Sequence, residues 1–215
     1  MVLCREQGFP LYLAVGTHLR GLALVEQGEV EEGIVQMRLG LAAWEATGAR
    51  MGRPTWLAPL AAAYGQVGQI EEGLSALSEA LTLVNKTGER WHEAVLYRLK
   101  GQLTLQSRQV KNKSKTSRRQ VEGRSKITNP QPLTPNPQAE AEAEAYFHKA
   151  IEIARCQSAK SLELRAVMSL SRLWQQQGKK KQAHQMLSEI YGWFTEGFDT
   201  ADLKEAKALL EELAA

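Results

Sequence analysis

Cysteine is nearly absent. The chain has two, Cys4 and Cys156, in unrelated surroundings, which argues against a disulfide framework and suits a reducing cytoplasm. No run reaches the roughly 18–20 apolar residues that a bilayer-spanning helix needs, so no membrane span is expected. The opening MVLCREQGFP has an early acid and no continuous apolar stretch, which makes it a poor secretory leader. Phosphate-cradling loops of the GxxxxGK[ST] or GxGxxG kind are missing too. The four histidines, His18, His92, His148 and His184, are far apart and lack HxxxH or CxxC spacing, so no metal site is expected. No residue pattern supports a catalytic group or a cofactor, and the reading is of a protein that is not an enzyme. Glu31–Glu32 and Glu71–Glu72 recur at the same place. They read as favourable charges at helix starts rather than as catalytic dyads.

The 43% of hydrophobic residues in a 215-residue chain suffices to bury a core. The formal charge of +3 is distributed unevenly. Residues 107–137 hold Arg108, Lys111, Lys113, Lys115, Arg118, Arg119, Arg124 and Lys126 against one acid, Glu122. That segment carries +7, so the rest of the chain carries −4 of the +3 total. It also holds four of the seven prolines and few apolar residues, the composition of a disordered loop.

Elsewhere the chain repeats itself. GEVEEGIVQMRLGLAAWEATGAR at 28–50 aligns with GQIEEGLSALSEALTLVNKTGER at 68–90, Gly33 on Gly73 and Gly48 on Gly88. Ala143 and Ala183 take the same place in the second half. Within repeats, small residues recur twelve apart: Gly21 and Gly33, Ala61 and Gly73, Ser171 and Ala183. Gly101 and Ala143 stand forty-two apart, which places an excess of thirty residues at about 108–137, an insertion in the third repeat. Each repeat reads as two amphipathic helices. Ile34, Met37, Leu41 and Trp44 form one stripe, and Leu57, Leu60, Ala61 and Tyr64 another. Gly28, Gly68 and Gly178 sit where the first helix of a repeat should stop. Pro59 breaks the pattern, so its helix is expected to begin nearer Leu57 or to kink.

Gly8 lies forty residues before Gly48, so the chain reads as beginning inside a repeat. The expected division is a truncated helix end at 1–8 and repeats at 9–48, 49–88, 89–158 and 159–198. A capping helix follows at 199–215, with Asp199 or Thr200 at its start and Leu203, Ala206, Leu209, Leu210 and Leu213 as its apolar stripe. The first helix, PLYLAVGTHLRGLALVEQ, is apolar nearly all round, and its outer face is expected to be covered by an upstream domain, a separate partner or a second copy.

The A-x-x-x-F-x-x-A run at Ala143, Phe147 and Ala150, with aromatics Tyr64 and Trp174 on first helices, resembles the tetratricopeptide pattern, with a period longer than its usual 34. More specifically, EQGFP, GLAAWEATGAR, TGERWHEAVLYRLKGQL and YGWFTEGFDTADLKEAKALLEEL are similar to the carboxy-terminal repeats of large bacterial signalling proteins. In those, an ATPase domain precedes the repeats, often with an adenylate or guanylate cyclase or a DNA-binding domain upstream. The resemblance implies an all-α fold, a right-handed α-solenoid of helix-turn-helix repeats about 40 residues long. It also implies a cytoplasmic sensing or scaffolding role with protein or peptide partners, an upstream ATPase or cyclase domain among them, or self-association through the uncapped first helix. In such a fold first helices line a concave groove. By register His18, Gln66, Arg98, Gln102, Gln106, Arg165, Arg172 and Gln175 face it, suited to an acidic or extended segment. The alternative reading is a nucleic-acid-associated protein using the basic insertion 108–137, which lacks aromatics to stack on bases.

Overall fold

The computed structural model describes the backbone of residues 2–121 and 137–214, and the side chains of 2–107 and 137–214. Among these residues every regular element is an α-helix. The chain forms two compact units, residues 1–92 and 93–215. The first holds α1 (Val2–Glu6), α2 (Pro10–Glu26), α3 (Val30–Ala46), α4 (Arg53–Gln66) and α5 (Ile70–Thr87). The second holds α6 (Glu93–Val121), α7 (Pro137–Cys156), α8 (Lys160–Gln176), α9 (Lys180–Tyr191) and α10 (Ala201–Ala214).

The pairs α2–α3, α4–α5, α6–α7 and α8–α9 pack side by side. One turn joins three of them. Gly28 and Gly178 adopt φ of 90° and 77°, a region that L side chains avoid. The next amide then donates five residues back, Glu29 N–H to the Leu24 carbonyl at 2.9 Å and Lys179 N–H to Trp174 at 2.8 Å. Gln69 N–H to Tyr64, at 2.9 Å, completes the set. Glu31–Glu32 and Glu71–Glu72 lie in the first turns of α3 and α5, against the positive end of each helix.

The paired small residues let backbones touch. A Cβ at Gly21 would lie 2.6 Å from the Gly33 carbonyl oxygen and 2.7 Å from the Met37 nitrogen. At Gly101 it would meet the Phe147 ring at 2.6 Å, and Ser171 Oγ donates to the Ala183 carbonyl at 3.4 Å. The first core is built on Met37, Trp44, Leu57, Leu77 and Val84, all buried. The second gathers Phe147, Leu164, Val167, Leu170 and Leu187. Leu203, Ala206, Leu209 and Leu213 of α10 join it, while Leu210 is only partly buried. Thr200 precedes α10, but its hydroxyl donates to the Gly197 carbonyl, at 2.7 Å.

Two expectations need correcting. Of the alternatives for α4, a start near Leu57 is not seen: the helix starts at Arg53 and carries Pro59 inside. Pro54 occupies its first turn, where a missing N–H costs nothing. Helix α6 continues to Val121, well into the segment read as a loop from 108. No Pro or Gly occurs between Gly101 and Gly123, and the Lys-, Arg- and Gln-rich run between them favours helix. Residues 122–136, the rest of that expected loop, lie outside the described residues.

Candidate functional site

Helical spacing brings three guanidiniums to one cleft in the second unit. Arg98 and Gln102, four apart, share a face of α6, and Arg165, Ser169 and Arg172 follow at i, i+4 and i+7 on α8. Together with Met168, and with Asp202 and Glu205 of α10, they line a cleft of about 250 Å³. Arg165 Nε donates to Asp202 Oδ2 at 2.7 Å, and Arg172 pairs with Glu205. Arg98 has no carboxylate partner among the described residues. Its guanidinium donates to Gln102 Oε1 at 3.1 Å, and Gln102 Nε2 donates to Ser169 Oγ at 3.4 Å. Burial lowers the Arg98 pKa, as do the neighbouring charges of Arg165 and Arg172, while Asp202 and Glu205 oppose the shift. Arginine stays charged through such shifts. Three cations against two carboxylates leave the cleft with an excess positive charge, centred on the least solvated guanidinium.

Four of the eight groove candidates, Arg98, Gln102, Arg165 and Arg172, therefore line one cleft. Gln175 sits a turn further along α8, its amide 3.5 Å from Glu212 of α10. Gln106 is exposed on α6, and Gln66 is exposed at the end of α4 in the other unit. His18 is buried. Its Nδ1 lies 3.2 Å from the Met37 carbonyl, and its ring centroid is 4.6 Å from that of Trp56. Asp202 and Glu205 are not among the sequence candidates, because they belong to the capping helix and not to a first helix of a repeat. A signal existed: Arg165 meets Asp202 at a separation of 37, as Gln175 meets Glu212.

The geometry matches solved structures in the fold alone. One is a crystal structure from Podosopora anserina of nearly identical TPR-like repeats in a protein described as a kinesin light chain. It is 17% identical, with a TM-score of 0.59, over 95% of this chain and 86% of that one. A variant of the same protein gives 16% identity and a TM-score of 0.59, over 95% and 94%. No family model matches the sequence, and no curated protein does. The fold class is thus all-α, a solenoid of tetratricopeptide-like helix-turn-helix repeats. No helix among the described residues is long and apolar enough to cross a membrane.

Proposed function

We propose that the protein is an interaction scaffold of a bacterial signalling system, acting within or beside a regulator that carries an ATPase or a cyclase. The repeats are 9–48, 49–88, 89–158 and 159–198, with α10 as the cap. The cleft between α6, α8 and α10 takes an acidic segment of a partner protein. Arg98 carries this reading: it is a poorly solvated guanidinium that donates to the neutral Gln102, while its two neighbours are paired with carboxylates. A partner carboxylate would complete the arrangement that Asp202 and Glu205 already make. The signalling context rests on the resemblance of the repeats. The apolar residues that α2 leaves exposed, Tyr12 at 67% and Leu19 at 55%, suit an upstream domain or a second copy.

The test is fluorescence anisotropy with a labelled hexaglutamate peptide. It should bind, bind less at high salt, and lose about ten-fold or more in affinity on Arg98→Ala. Changing Arg98, Arg165 and Arg172 together to Glu should abolish binding. Binding that survives this change, with helicity intact, rejects the reading.

A further inference from the structure

The first unit carries a second cleft, of about 400 Å³, between α3 and α5 with α4 beneath, within the usual range for ligand sites. Leu41, Leu57, Leu60 and Ala76 line its apolar part, with Tyr64. The second unit supplies an internal comparison. Each position there lies 110 further along, as Gly33 answers to Ala143 and Gly73 to Ala183. At that offset Tyr64 answers to Trp174 and Ala76 to Met186. Both larger side chains are partly buried against the core of the second unit. The groove that one unit fills with an indole and a thioether, the other lines with a phenol and a methyl group.

The charges at the rim differ as well. In the second unit the buried carboxylate of Glu163 accepts from Arg155 Nε at 2.6 Å and from Lys160 Nζ at 2.9 Å, two cations for one acid. At the matching positions of the first unit the signs are exchanged: Arg53 replaces Glu163 and Glu45 replaces Arg155. Arg53 pairs with both Glu45 and Glu79, two acids for one cation. Arg38 and Glu72 complete the charged rim, so three carboxylates face two guanidiniums. A carboxylate that shares its cation with another keeps acceptor capacity for a further donor.

The geometry points to a binding site in the α3–α4–α5 cleft for a partner peptide that places a bulky apolar side chain, aromatic or methionine, against Tyr64 and Ala76, with a basic residue held by Glu45 and Glu79. The side chains of Trp174 and Met186 indicate the size and polarity of the occupant, and the acid excess indicates the sign of its neighbour. The site uses other helices than the arginine cleft and does not rest on it.

The probe is an end-blocked Lys-Trp-Lys tripeptide titrated into the full-length, nitrogen-15-labelled chain, with Glu-Trp-Glu and Lys-Ala-Lys as controls. Amide shifts should gather around Tyr64, Ala76 and Glu79, and Lys-Trp-Lys should bind about ten-fold more tightly than either control. Ala76→Met, which copies Met186, should weaken binding about ten-fold. Should that variant fold poorly, Glu45→Gln combined with Glu79→Gln, both well exposed, should remove the preference for Lys-Trp-Lys over Glu-Trp-Glu. Shifts centred elsewhere, equal binding of Lys-Ala-Lys, or full affinity in a folded Ala76→Met variant would each overturn the site. Hexaglutamate binding reads the other cleft separately.

Discussion

His18 holds a neutral imidazole inside the first unit. Burial lowers its pKa, and the hydrogen bond to the Met37 carbonyl only partly opposes this. As the carbonyl can only accept, Nδ1 carries the proton. Burial also lowers His92, which sits 3.2 Å from the Thr55 hydroxyl. A folded-state pKa below the ordinary 6.5 means the unfolded chain binds more protons as pH falls through that value. Stability is therefore full at about pH 7.5 and declines as pH falls through 6.5, by at most about 1.4 kcal/mol per pH unit for each histidine. Urea midpoints at pH 7.5, 6.5 and 5.5 should fall in that order, and His18→Gln should flatten the decline while His92 keeps its share. A flat profile in the unaltered protein would contradict the assignment. This residue also marks a limit of reading helix faces from sequence. Helix α2 is apolar nearly all round, so no polar side existed to show whether His18 points outward, and contact with Trp56 and Met37 decides it.

At the level of the helix pair, backbone proximity can be tested directly. Gly21→Ala places a Cβ against the Gly33 carbonyl and the Met37 nitrogen, both backbone atoms that move only if α2 and α3 separate. The expected cost is about 1–3 kcal/mol, as for overpacking a tight core. Gly28→Ala meets nothing within 4 Å, and its cost comes from a φ of 90° alone, roughly 1–2 kcal/mol. Chemical denaturation should show both losses, with a separated α2–α3 pair in Gly21→Ala only, visible as faster amide exchange along both helices. The twelve-residue recurrence made these contacts legible, since a glycine inside a helix is unfavourable unless something needs the space. The length of α6 was less legible. Its basic composition suggested a loop, whereas the absence of Pro and Gly up to Glu122 governs where the helix can run. In α4 the outcome is reversed: Pro59 is a strong local stop, and burial of Leu57, Leu60 and Ala61 holds the helix through it.

On the scale of the whole chain, register assigned eight residues to one groove, and the structure brings Arg98, Gln102, Arg165 and Arg172 of these to one cleft. Register did not supply the carboxylates that partner them, as those belong to α10, where the forty-residue count ends. The same count bears on the proposed insertion. Gln66 closes α4, Val67–Gly68–Gln69 forms the turn, and Ile70 opens α5. By that count Gln106 and Glu140 of the sequence hold the positions of Gln66 and Ile70. Replacing residues 107–139 by Val-Gly-Gln should therefore join α6 to α7 in the register used by the other pairs. Shortening the link between the two helices about five-fold, from residues 122–136 to three residues, lowers the closure cost by roughly 1.4 kcal/mol, offset by the loss of the buried Ala139 contact. The shortened protein should keep its helicity outside the removed segment and melt no earlier than the full chain. It should also lose its basic character, since the remaining residues carry a net negative charge. Hexaglutamate binding should persist, because every residue lining the arginine cleft is retained. Premature melting would show that the segment contributes packing to the repeat. A loss of peptide binding with the melting point intact would instead move the acidic-ligand site from the cleft to the insertion.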